Sequence, residues 1–239
     1  MYGLQSMTSD HTEVRQVIPI LTRLILLGNQ ALSSLEIGSA IYGLQNMSTD
    51  YPEVRELLTA LTTKIAASPE PLKSQAIGNA LYGMRRMSSQ YKEVRELLSA
   101  LCGCMHDSGD SLRPQEIGNA LYGLQSMTSD HTEVRQVIPI LTRLILLGNQ
   151  ALSSLEIGSA IYGLQNMSTD YPEVRELLTA LTTKIAASPE PLNSQAIGNA
   201  LYGMRRMSSQ YKEVRELLSA LCGCMHDSGD SLRPQEIGN

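Results

Sequence analysis

The segment Ser34-Leu-Glu-Ile-Gly-Ser-Ala-Ile-Tyr-Gly-Leu-Gln-Asn-Met47 decides the fold. Its apolar residues Ile37, Ala40, Ile41, Leu44 and Met47 recur at offsets of three and four, which places them on one face of a helix and predicts an amphipathic helix A over Ser34 to Met47. Ser33 and Glu36 form a capping box ahead of it, with Leu32 and Ile37 at the staple positions. Downstream, Val54, Leu57, Leu58, Leu61 and Ile65 line the apolar face of a second helix, B, expected from about Tyr51 to Ala67. Asp50 and Glu53 read as its N-terminal box, and Pro52 lies in the first turn, where a missing N–H is harmless. Short linkers, Ser48 to Asp50 and Ser68 to Lys73, join the helices into an αα-hairpin.

The hairpin recurs. Tyr2 to Asn119 reappears as Tyr122 to Asn239 with one internal difference, Lys73 against Asn193. Inside each half a weaker 40-residue period divides the chain into units 2–41, 42–81, 82–121, 122–161, 162–201 and 202–239, a single repeat domain over 1–239. Every full unit carries Tyr-Gly, a Met five residues after the Tyr, and Glu-Val-Arg. Self-similarity at this period predicts an all-α, αα-hairpin solenoid of six units, either an open superhelix or a closed toroid.

Composition narrows the function. The 239 residues contain no Phe or Trp, so the 10 Tyr are the only aromatics, and a net charge of −5 gives no global basic field for nucleic acid. No apolar run is long enough to span a membrane and no leader opens the chain, which predicts a soluble, intracellular protein without a membrane partner. Its four Cys form two Cys-Gly-Cys pairs, which favour a reducing compartment. On a helix Cys102 and Cys104 diverge by about 200°, and Cys102 with His106 gives only two ligands, so core or interfacial thiols are expected and no metal or cofactor. With no nucleophile motif, phosphate loop or convergent acid pair, no enzyme is expected.

Several residues predict packing. Gly38, Gly78 and Gly118, with Gly43 and Gly83, sit inside helix A, where each costs about 1 kcal/mol relative to Ala; repetition of that cost predicts close helix approach. Pro19 and Pro139 fall within helix B and predict a kink. Glu53 and Arg55 are placed to link units by ion pairs, and Asn193 is a better N-cap than Lys73.

One face of helix A varies between units while its neighbours do not. Opposite the apolar face, positions 35, 39 and 46 read Leu35, Ser39, Asn46, then Gln75, Asn79, Arg86, then Gln115, Asn119, Ser126. In the second half Ser159, Asn166, Asn199 and Arg206 repeat the stripe. Tyr42, Tyr82, Tyr122, Tyr162 and Tyr202 border it. Hydrogen-bonding side chains beside a repeated aromatic suit recognition of single-stranded RNA; equally, this is a solvated face whose Tyr packs on the next unit. Only Arg85–Arg86 and Arg205–Arg206 offer clustered cations, which argues against tight phosphate binding and suits an acidic protein surface.

Pro114-Gln-Glu-Ile-Gly-Asn-Ala-Leu-Tyr-Gly-Leu-Gln-Ser-Met127 resembles the first helix of octotricopeptide-type repeats, α-solenoid units of just under forty residues. Pro114, Gln115, Glu116, Asn119, Leu121 and Leu124 match, and Tyr122 takes the aromatic position. Gly118 and Gly123 replace the usual Ala, and the family's C-terminal loop motif is not evident. The resemblance implies organellar RNA binding at roughly one base per repeat. Against it stands a non-enzymatic scaffold that binds a protein partner. Both ends of the chain fall within helix A, so the scaffold reading includes self-association through repeat faces and termini, as a ring or a filament.

Overall fold

A computed structural model describes all residues except 227, 228, 230, 238 and 239, and the side chains of 226, 235 and 237 lie outside it as well. The described residues form twelve α-helices and one short 3-10 turn, Tyr2–Leu4, with no strand. The A helices are α2 (Ser34–Tyr42), α4 (Ser74–Gly83), α6 (Pro114–Tyr122), α8 (Ser154–Tyr162), α10 (Ser194–Gly203) and α12 (Pro234–Ile237). Between them run the B helices α1 (Thr12–Leu27), α3 (Pro52–Ala66), α5 (Lys92–His106), α7 (Thr132–Leu147), α9 (Pro172–Ala186) and α11 (Lys212–His226). A packs on A and B packs on B in chain order, so two helical layers stack as a solenoid. The short A helices lie against one another more closely than the longer B helices do. No helix is long and apolar enough to cross a membrane among the described residues.

Between the layers, Ile37, Ile41, Leu44 and Met47 meet Val54, Leu57, Leu58 and Ile65, all fully buried, and the same set recurs up the stack as one continuous core. Local signals act as expected at the start of helix A. The Ser33 N–H donates to Glu36 at 2.8 Å and Ser33 Oγ accepts from the Glu36 N–H at 3.4 Å, closing the capping box. The Ser33 N–H, and then the Ser33 hydroxyl donating to the same carboxylate at 2.7 Å, hold the Glu36 carboxyl below its usual range. Asn193 Oδ1 accepts from the Ala196 N–H at 2.8 Å, whereas Lys73 caps nothing with its side chain. Lys73→Asn is therefore expected to raise stability by about 1 kcal/mol, read as a shift of the guanidinium midpoint at constant slope; no shift would remove the capping account.

Two expectations need correction. Helix A does not run to Met47: α2 ends at Tyr42, and the chain continues in tighter turns, with Leu44 N–H donating to Ile41 at 2.8 Å and Met47 N–H to Leu44 at 2.8 Å. Neighbouring backbone passes closest at this point. A Cβ on Gly43 would stand 2.3 Å from the Met1 carbonyl oxygen, so that backbone rests on the glycine where the helix gives way to tighter turns. Asp50 does not cap helix B either, since Tyr51 is the N-cap residue. Its carboxylate instead accepts from Ser48 Oγ at 2.9 Å and from the Tyr91 hydroxyl of the following unit at 2.9 Å. Helices α1 and α7 run through Pro19 and Pro139, both exposed, without interruption.

The glycines act in packing. At Gly83, Gly123, Gly163 and Gly203 an added Cβ would meet a carbonyl oxygen of the preceding A helix at 2.2, 2.0, 1.9 and 2.0 Å. At Gly38 and Gly158 it would meet the Ala76 or Ala196 Cα at 2.8 Å. Only a residue without a side chain permits this approach.

Candidate binding face

Close stacking of the A helices brings the six repeated tyrosines into one column. Consecutive ring centroids from Tyr2 through Tyr42, Tyr82, Tyr122 and Tyr162 to Tyr202 lie 5.5 to 5.8 Å apart, with interplanar angles of 16° to 24°. Each ring is thus partly covered by its neighbours, as the plainer reading of this face expects. Burial, then the neighbouring phenols, hold the Tyr162 proton above the ordinary tyrosine range; at Tyr82 burial again acts first, opposed by Arg85. A raised folded value means that the neutral phenol contributes stability below the unfolded pKa, and that this is lost as pH rises through the folded value. Absorbance titration at alkaline pH is expected to show a late-ionising fraction that Tyr162→Phe diminishes. Ionisation of every tyrosine in one step at the free-phenol pKa would contradict the stacked column.

Beside the column the polar stripe separates into two rows. Asn79, Asn119 and Asn199 are half-buried and, among the described residues, make no hydrogen bond through their side chains, nor do Ser39 and Ser159. Gln75, Gln115 and Gln195 stand exposed one turn earlier, equally unpartnered. A groove of about 350 Å³ runs over α6, α8 and α10, lined by Asn119, Leu155, Ser159 and Asn199, with Tyr82 and Tyr122 along one wall. Glu156 is the charged residue of this lining, and its carboxylate accepts from the Ser153 N–H at 2.9 Å.

The second row, at positions 46, 86, 126, 166 and 206, is engaged between units. Asn46 Nδ2 donates to the Gln5 carbonyl at 2.8 Å and Asn166 Nδ2 to the Gln125 carbonyl at 2.7 Å. Ser126 Oγ donates to the Arg85 carbonyl at 2.8 Å. Arg86 donates to the Asn46 carbonyl at 3.3 Å, and Arg206 to that of Asn166 at 3.1 Å while lying 3.6 Å from Asp130 two units back. This row leaves the stripe because the chain is no longer α-helical beyond Tyr42, so a 3.6-residue projection misplaces it.

Sequence reasoning missed two further inter-unit devices. Ser9, Thr49, Ser89, Ser129 and Thr169 are buried, and their hydroxyl oxygens accept from the N–H 39 residues later at 2.8 to 3.2 Å. A small hydroxyl residue two positions after the Met that stands five residues past the tyrosine of each Tyr-Gly was the available signal. The Arg of Glu-Val-Arg is the other device. Arg15, Arg55, Arg135 and Arg175 lie 4.4 to 4.8 Å above the rings of Tyr51, Tyr91, Tyr171 and Tyr211. Arg55 also approaches Glu93 at 4.0 Å and Arg95 approaches Glu133 at 3.6 Å, ion pairs between units as expected of Arg55, whereas Glu53 joins no ion pair among the described residues and its Oε2 is buried without a hydrogen-bond partner.

Cys102, Cys104 and Cys224 are partly buried as expected, whereas Cys222 is exposed. Burial pushes Cys102 up to about 11, and Cys104 Sγ donates to the Ile65 carbonyl at 3.5 Å. Among the described residues no three His, Cys, Asp or Glu groups converge as a metal site.

No family model, curated protein or solved structure matches this chain.

Proposed function

We propose that the chain is a non-catalytic binding scaffold whose A face receives an extended polymer. The observation that supports this most is the row of unpartnered Gln and Asn side chains on α4, α6 and α10 (Gln75 and Asn79, Gln115 and Asn119, Gln195 and Asn199), interrupted by Leu155 and Ser159 on α8 and held in register by a glycine-packed backbone. Side-chain amides left without partners on a rigid surface are positioned to bond something else, and repetition along the stack suits a ligand that is itself repetitive. Pools of labelled peptides and of labelled single-stranded RNA, titrated at about 50 and 200 mM salt, test the proposal. Binding by either pool that is lost in Gln115→Ala/Asn119→Ala/Asn199→Ala supports it. Binding by neither, or binding that ignores the triple substitution, overturns it. RNA, which the octotricopeptide resemblance implies, is one arm of this test.

End-to-end self-association is a second reading, favoured by one comparison. Val17 and Leu24 on α1 are 43% and 53% exposed, whereas the identical Val137 and Leu144 on α7 are fully buried against the preceding unit. A second copy offers that same cover. Light scattering should then report a mass that rises with concentration; a constant monomer mass excludes it.

A further inference from the structure

We infer that the polymer received by the A face is an extended polypeptide, neutral to basic in charge and held through its main chain by Asn79, Asn119 and Asn199; this rests on the binding reading above. A carboxamide presents a donor and an acceptor side by side, and a residue in an extended chain presents its own N–H and C=O on one side as the complementary pair. Pairing the two requires no particular side chain on the ligand. Register comes from the stack: tyrosine centroids advance 5.5 to 5.8 Å per unit along this face. Two residues of extended or polyproline II chain advance about 6 to 7 Å, so each unit meets roughly two residues and the groove over α6, α8 and α10 takes about six.

Charge separates this occupant from a nucleic acid. The groove lining includes one carboxylate, Glu156, and no Lys or Arg, so a phosphate backbone would find no counter-charge there. Arg85 and Arg205, the cations nearest the column, each lie over a ring, Tyr82 at 4.6 Å and Tyr202 at 4.8 Å. They also bond backward, Arg85 to Asn46 Oδ1 at 2.7 Å and Arg205 to Asn166 Oδ1 at 2.6 Å. The ring faces on which bases would stack are covered by neighbouring tyrosines. Selectivity enters at one position. Leu155 is 71% exposed within the groove, where the units on either side carry Gln115 and Gln195, so it offers an apolar side chain of the peptide a contact between two polar ones.

Fluorescence anisotropy of labelled dodecapeptide pools on the full chain tests the inference. Neutral and basic pools with a central aliphatic residue should bind, and acidic pools should bind more weakly. Asn119→Leu with Asn199→Leu keeps side-chain size and removes the hydrogen bonds; it should weaken binding at least tenfold in a chain whose circular dichroism is unchanged. N-methylation of alternate main-chain nitrogens of the peptide should weaken binding to the same degree. Leu155→Gln should move the central preference from aliphatic to polar. Peptide binding indifferent to N-methylation and to the double substitution overturns main-chain recognition. Binding of single-stranded RNA but of no peptide overturns this inference and leaves the binding face standing, whereas binding of neither removes both.

Discussion

Gly163→Ala is expected to cost the array about 3 kcal/mol or more, while Gly103→Ala is expected to stabilise it by up to about 1 kcal/mol. Both positions begin as glycine, so the difference isolates the surroundings. At Gly163 an added Cβ would lie 1.9 Å from the Leu121 carbonyl oxygen and 2.3 Å from its carbon, and both are backbone atoms of the preceding A helix, α6. Neither gives way without parting two A helices, which would also disturb the contact between Tyr122 and Tyr162. At Gly103, within α5, nothing lies within 4 Å, so alanine adds only helix propensity and a smaller unfolded-state entropy. Guanidinium midpoints of the two variants check the pair. A Gly163→Ala chain as stable as the parent would mean that the A helices are not in contact through their glycines.

The second large effect compares two leucines in identical sequence. Leu144→Ala should cost about 2 to 5 kcal/mol and Leu24→Ala less than about 1 kcal/mol. Both lie in the sixteen-residue segment of α1 and α7, but Leu144 is fully buried, its carbonyl accepting from the Leu112 N–H at 3.2 Å, while Leu24 is 53% exposed. Sequence-local effects predict equal costs, so the inequality measures what the preceding unit contributes. Measured in dilute solution, equal losses would show that something covers α1 as thoroughly as α5 covers α7.

Much of the fold was legible because it is written locally. The three-and-four spacing in Ile37 to Met47, the Ser33–Glu36 box and the Asn193 cap depend on residues within a turn or two of one another. The repeated glycines were legible for another reason, since a cost paid in every unit implies a return from contact between units. What was not legible lies in contacts 40 residues away. Helix A ends at Tyr42, where neighbouring backbone rests on Gly43. The task of Asp50 is set by Tyr91 of the unit after, and its spacing from Glu53 imitates a capping box that does not form. The site shows the same division. Asn79, Asn119 and Asn199 fall inside regular helix and lie where a helical projection places them, whereas Asn46, Arg86, Ser126, Asn166 and Arg206 follow the helix end and turn to the neighbouring unit.

The side-chain NH₂ resonances of Asn79, Asn119 and Asn199, assigned by single Asn→Leu substitutions, test the binding face most directly. Titration with a neutral-to-basic peptide pool should shift these resonances together, while those of Asn46 and Asn166, bonded to Gln5 and Gln125, stay in place. Saturating binding that leaves the three amides unmoved, or that moves only resonances of the B helices, would contradict the account.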